Sequence, residues 1–330
     1  MQSISKTVVN LATAQQIVAE LFADRIQLLR FDELTDGWFN AAYTLELSDG
    51  RRFVLKVAPS AEVEVLRYER DMMDAEVTVM RLVQQQTSVP LPEVVHYDTS
   101  CRLLPSPFFL MTWVPGRSLK QVRASLSPEE EAMVDGAVGG YLRQINAIHN
   151  DSFGYAAASA PRFSRWSDSF ANMLENVLLD AEAKSVVLPR PYAQFRKLLQ
   201  SALPVFDDVQ TPQLVHGDLW DANVFGDPTT KRVTGLIDFE RALWGDPLME
   251  AQFMFGQSPA FFAQYGPSPL DGPRAHLRRL FYNVYLFLIT KVESRYRQYA
   301  NPELEQFAYL QLNEHVEQLE AALEVFYSRS

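Results

Sequence analysis

The stretch that most constrains this chain is His216-Gly-Asp-Leu-Trp-Asp-Ala-Asn-Val-Phe225, followed by Gly235-Leu-Ile-Asp-Phe239. The apolar pairs Leu214-Val215, Val224-Phe225 and Leu236-Ile237 flank its polar residues, as short buried strands do. Two side chains in the first polar segment, Asp218 and Asn223, stand five positions apart. A third, Asp238, follows fifteen residues later at the end of an apolar run. A chain that keeps these three oxygen-bearing groups at such spacing is expected to bring them together on neighbouring turns.

That set matches a particular chemistry. Phosphoryl transfer from ATP needs a carboxylate that orients or accepts the proton of the acceptor hydroxyl. It also needs a carboxylate and an amide oxygen to hold Mg²⁺, which takes hard oxygen ligands. The protein-kinase catalytic loop has the form H-R-D-x-x-x-x-N with a later metal-binding Asp. Here His216-Gly217-Asp218 stands in for its first three residues, Asn223 keeps the offset, and Asp238 lies where the metal Asp belongs.

With Gly245-Asp246-Pro247, these residues make the chain resemble the aminoglycoside phosphotransferase and choline kinase-like family, small-molecule kinases with a protein-kinase-like fold. The close match covers roughly residues 212–250. The resemblance implies an α+β two-lobe fold, with an N-terminal β-sheet lobe (residues 1–112) and a larger, mainly helical C-terminal lobe (113–330). It implies Asp218 as catalytic base or orienter, Asn223 and Asp238 as Mg²⁺ ligands, and a supporting role for His216. Trp220 departs from the common pattern, and Leu219-Trp220 resembles the fructosamine kinase branch. Phe239-Glu240 is a second departure.

Thr13-Ala-Gln-Gln16 suggests a capping box opening a helix to about Ala23. Strands are expected at Ile26–Glu33, Trp38–Leu47 and Arg52–Ala58. Lys56 shares a strand face with Val54 and Ala58, and a Lys there needs a partner. In kinases such a Lys contacts ATP phosphates and pairs with a Glu on the next helix. That helix is expected from about Glu64 to Gln85, with Glu76 preferred as partner and Glu69 the alternative. Gly37 and Asn40 resemble the short nucleotide loop of small-molecule kinases. Neither G-x-G-x-x-G nor a P-loop occurs. Strands follow at Val94–Asp98 and Pro107–Val114. In the family the second of these enters the hinge, which makes Met111 to Trp113 the adenine-edge candidates. Ser127-Pro-Glu-Glu130 opens a helix toward His149, a residue read as structural. Helices near 165–184 and 191–202 come next. Two more, over about Gly272–Ser330, are split at Ala300–Glu303 with Asn301 as cap. Asp246 is expected to cap a helix.

Composition narrows the partners. The net charge of −11 over 330 residues argues against nucleic acid. No apolar run reaches the ~18 residues of a membrane span, and no signal peptide precedes the first helix. Cys101 is the lone cysteine, which excludes an internal disulfide. These features suggest a cytoplasmic protein, monomer or homodimer. The expected partner is a small-molecule hydroxyl acceptor. An aminoglycoside-type antibiotic or related amino sugar is favoured, with a metabolic acceptor such as fructosamine, choline or another alcohol as the alternative. A non-catalytic nucleotide-binding regulator would lack one of the catalytic groups, and none is missing. Asp221, Glu240, Glu250 and Glu293 are candidates for contacting a cationic acceptor.

Overall fold

The structure is a computed structural model that describes residues 3–22, 25–35, 37–254, 257–299 and 302–328. After α1 (Leu11–Leu21) come β1 (Leu28–Leu34), β2 (Ala41–Leu47) and β3 (Arg52–Val57), then α2 (Met72–Gln86), β4 (Val94–Asp98) and β5 (Phe108–Thr112). The five strands form one antiparallel sheet in the order β1-β2-β3-β5-β4. One face packs on α1 through Leu45, Leu55 and Leu110, which cluster with Ile17 and Val18. The register sets Ala42, Lys56 and Phe109 side by side on the other face.

The remainder is mainly helical: β6 (Arg117–Ser118), α3 (Leu119–Val122), α4 (Pro128–Asn146), β7 (Gly154–Tyr155), α5 (Trp166–Ala183) and α6 (Tyr192–Phe206). Next come β8 (Gln213–Val215), β9 (Val224–Gly226), β10 (Val233–Leu236) and β11 (Leu243–Gly245). Helices α7 (Pro259–Tyr265), α8 (Pro273–Arg297) and α9 (Pro302–Ser328) end the chain. Two small sheets, β10-β9-β6 and β7-β11-β8, carry the polar segments between them. Aromatic residues of α5, α6 and α8, among them Phe170, Phe206 and Tyr282, form the main core.

Several boundaries differ from the sequence reading. Helix α1 is capped by Asn10, whose side chain accepts from the Thr13 amide, so Thr13 lies inside the helix. The Ala23 end and the Asn301 cap fall outside the described residues. Residues 38–40 form a loop and β2 begins at Ala41. Helix α2 starts only at Met72, because Asp71 adopts left-handed backbone (φ 57°), which a helix cannot continue through. Glu69 therefore lies in a separate 3₁₀ turn, Arg67–Glu69. Asp246 caps the 3₁₀ turn Pro247–Met249 by accepting from the Leu248 amide.

Candidate active site

Between β8 and β9 the chain leaves the sheet at His216 and returns at Val224. Gly217 turns it with φ 79°, and a Cβ there would lie 2.5 Å from the Arg241 carbonyl oxygen, so only glycine fits. Beneath this turn the buried Glu250 carboxylate accepts from the amides of His216 (2.8 Å) and Gly217 (3.2 Å) and from Asn146 Nδ2 (3.1 Å). Burial pushes this carboxyl up to about 7, while the His216 amide and the Asn146 donor pull it down. His216 Nδ1 accepts from the Asp218 amide (3.3 Å), so its Nε2 donates to the Ile237 carbonyl (3.1 Å). Burial lowers the His216 pKa to about 4, so the ring is neutral and braces both polar segments.

The same bracing aligns the predicted chemical groups. Asn223 Nδ2 donates to the Asp218 carbonyl (2.8 Å) and to Asp218 Oδ2 (3.1 Å), which leaves the amide oxygen available to a cation. The Ile237 amide donates to the Asn223 carbonyl at 3.0 Å, bringing Asp238 alongside. Asp238 itself is left-handed (φ 70°), a conformation uncommon for a non-glycine residue and one that Asp tolerates better than most.

Lys56 reaches this point from the sheet. Its Nζ donates to Glu76 (2.9 and 2.7 Å), Asp238 Oδ1 (2.7 Å) and Glu240 Oε2 (3.1 Å). Burial would lower the Lys56 pKa, but Asp238, Glu240 and Glu76 together hold it well above its usual value. Glu76 is the helical partner, as preferred, while Glu69 instead pairs with Arg297. Burial pushes Glu76 up to about 8 against the pull of Lys56. At Asp238 burial also raises the carboxyl, but the charge and hydrogen bond of Lys56 outweigh it and hold it below the usual range. Asp218 is pushed up to about 7 by burial, opposed by Arg241.

Three carboxylates thus surround one lysine, and the Asp238 side chain stays 30% exposed. The excess negative charge, the accessible Asp238 and the Asn223 amide oxygen make a hard-oxygen donor set that suits a divalent cation.

The phosphotransferase enzyme family, APH, matches residues 30–279. The chain belongs to this family. Solved structures of similar shape fit that membership. A candidate fructosamine-3-kinase of Thermobifida fusca is 19% identical, with a TM-score of 0.68 over 96% of this chain and 100% of that one. A thermostable mutant of the aminoglycoside phosphotransferase APH(4)-Ia is 20% identical, with a TM-score of 0.66 over 92% of this chain and 98% of its own. The fold of this APH-family chain is therefore kinase-like. Among curated relatives, the probable acyl-CoA dehydrogenase IBR3 of Arabidopsis thaliana is 24% identical over 228 residues, 66% of this chain. Acyl-CoA dehydrogenase family member 10 of Mus musculus is 25% identical over 235 residues, 69% of this chain. The chain spans only about a quarter and a fifth of those two proteins (26% and 20%).

The nucleotide candidates divide. Gly37 and Asn40 lie in the β1–β2 loop, and Asn40 Nδ2 donates to Glu240 Oε2 at 2.8 Å. Met111 is buried in a cluster with Val54 and Leu236, with Leu34 and Ala42 packed against it. The amide proposed for the adenine edge at Trp113 is already committed to the Arg52 carbonyl (3.1 Å), and the Arg52 guanidinium covers the Trp113 ring. Val54 shares the Lys56 face as the alternation implied, whereas Leu34 and Ala42 were missed by the sequence reading, although alternation on adjacent strands is the signal for a shared apolar face.

The four acidic acceptor candidates are all engaged within the protein. Asp221 pairs with Arg123 (2.5 Å), and Glu240 with Lys56 and Asn40. Glu250 lies under the turn, and Glu293 binds Arg241 (2.7 Å) and Arg297 (3.1 Å).

Proposed function

We propose that this protein transfers the γ-phosphoryl group of ATP to a hydroxyl of a small molecule. The observation that carries the reading is the convergence of Asp218, Asn223, Asp238 and Lys56, drawn from three separate parts of the chain, on one place. Asp218 aligns the acceptor hydroxyl and takes its proton as the bond to phosphorus forms. Lys56, steadied by Glu76, neutralises phosphate charge. Asn223 and Asp238 would hold Mg²⁺, which supplies further charge neutralisation at the phosphates. The apolar face of Leu34, Ala42, Val54 and Met111 suits an adenine ring. One APH(4)-Ia structure, 19% identical, is a ternary complex with AMP-PNP and hygromycin B, which supports a nucleotide as donor.

The acceptor reading shifts. A polycationic aminoglycoside calls for free carboxylates, and the four candidates already have internal partners. That favours a metabolic hydroxyl compound of low positive charge. The test is ADP release with Mg²⁺ and ATP or GTP against aminoglycosides, sugars, amino sugars, amino alcohols and hydroxy acids. Asp218→Asn is the control, expected to lower turnover by ~10²-fold or more. Near-normal turnover in that variant would remove the base assignment, and an aminoglycoside as the sole hit would restore the first acceptor class.

A further inference from the structure

We propose that Asn40 and Glu240 form a clasp that sets how tightly the nucleotide is held, with Glu240 as a positioning residue and not an acceptor contact. The inference rests on reading the cleft as a nucleotide site. One oxygen of Glu240, Oε2, receives both Asn40 Nδ2 (2.8 Å) and Lys56 Nζ (3.1 Å). It therefore ties the β1–β2 loop, strand β3 and the turn after Asp238 to a single atom. Both Asn40 and Glu240 are more than nine-tenths buried.

The rest of the loop is fixed from elsewhere. The Phe39 ring lies under the Arg297 guanidinium (4.8 Å), Trp38 meets Tyr299 edge-on (5.8 Å), and Ser5 Oγ donates to the Phe39 carbonyl (2.8 Å). With the loop thus held by Ser5, Arg297 and Tyr299, the Asn40 side chain takes its hydrogen bond from the loop to Glu240. Its other amide atom, Oδ1, is buried without a hydrogen-bond partner. A buried acceptor left unpaired is uncommon and marks a place where a further donor or ion belongs. The loop that covers the phosphates and the lysine that neutralises them consequently share one anchor. Removing its charge weakens the hold on the Asn40 side chain and takes one of three carboxylates from Lys56. The competing role is metal ligation, because ligand oxygens of Glu76, Asp238 and Glu240 lie within 4.8 Å of one another.

The experiment is calorimetric titration of ATP, without acceptor and at saturating Mg²⁺, into wild type, Glu240→Gln, Asn40→Ala and the double variant. Melting temperatures without nucleotide confirm folding, and Asn40→Ala keeps the test open should Glu240→Gln fail to fold. Each single variant is expected to bind ATP about tenfold more weakly, the worth of one hydrogen bond to a charged group. The double variant should lose little more than either single, as partners in one contact do. KM for ATP should rise while KM for the acceptor stays put. Wild-type ATP affinity in Glu240→Gln, or full additivity, overturns the clasp. So does a defect confined to sub-saturating Mg²⁺ and absent at saturation, which would make Glu240 a metal ligand, or a change confined to acceptor KM. A wild-type protein that binds no nucleotide would instead sink the kinase reading beneath it.

Discussion

Two buried charge clusters meet at Glu240-Arg241, and they differ in balance. On one side Lys56 touches three carboxylates, those of Glu76, Asp238 and Glu240. On the other, Arg241 and Arg297 face Glu293 and Glu69, with the Tyr68 hydroxyl donating to Glu293: two cations and two anions. Buried charge is costly unless matched. The matched ring joins the turn before α2, the segment after Asp238 and helix α8, and it needs nothing further to be stable. The unmatched cluster carries more carboxylate than its lysine can neutralise, and it is the one with an accessible metal-type ligand. The difference separates a group of charges balanced within the fold from one left with an excess of carboxylate.

The contrast is broken most sharply from the balanced side. Glu293→Gln leaves two buried guanidiniums short of an anion, and removing one partner of a buried pair costs about 3–5 kcal/mol. Urea unfolding should show a loss of that order, while ATP affinity of the folded fraction stays near wild type. A loss under about 1 kcal/mol would mean that the ring does not hold the two parts together.

On the other side the signs reverse. Asp238→Ala should lower turnover by about 10²–10³-fold, the scale of losing one preorganised charge contact in a reaction centre. It should cost the metal-free protein little stability, since Lys56 keeps Glu76 and Glu240 as partners. Steady-state rates and melting curves on the same sample test both halves. Wild-type rates at ordinary Mg²⁺ would remove the metal assignment, and a large fall in melting temperature would remove the claim of imbalance.

A smaller effect is expected in pH. Burial pushes Glu76 up to about 8, and Glu240 is also raised, chiefly by burial and then by Asp238. Coupled carboxylates of this kind hold a proton as a group. The folded protein then binds more protons than the unfolded chain between about pH 4.5 and 8, so stability without metal falls as pH rises through that window. Glu76→Gln should make the fall less steep, leaving the shares of Asp218 and Glu250, which burial also pushes up to about 7. A wild-type profile that rises with pH in this range would contradict the unbalanced cluster.

The comparison also shows what the sequence could reveal. Asp218, Asn223 and Asp238 are legible because phosphoryl transfer demands them at short, fixed intervals between apolar pairs. Lys56 and Glu76 are legible because strand alternation and helix periodicity each point one residue at the same interior. The sheet-then-helix organisation follows from the same periodicities. Ion pairing is different. Glu240 meets Asn40 across 200 residues, and Glu293 meets Tyr68 across 225, distances at which no local pattern operates. Four carboxylates near the site therefore read only as candidate acceptor contacts, and the partners each has inside the protein were not legible. Helix starts failed for a local reason: Asn10 and Thr13 both suit a cap, and only the backbone at Asp71 stops α2 from beginning earlier.

Glu250 gives the mildest way to sharpen the contrast, because it is a buried carboxylate with no salt-bridge cation among the described residues and yet is satisfied. Its partners are the amides of His216 and Gly217 and the Asn146 side chain, all neutral donors. Glu250→Gln keeps the size but leaves one carbonyl oxygen for three donors and turns an NH₂ toward one of them. The turn carrying Asp218 should loosen without losing any group that touches substrate. We expect turnover to fall about tenfold, the order of one lost hydrogen bond to a charged acceptor, with KM for ATP and acceptor nearly unchanged. Glu250→Asp, which keeps the charge on a shorter arm, should recover part of the rate. An equal loss in both variants would point to packing rather than charge, and no loss in either would show that Asp218 is positioned by His216 alone.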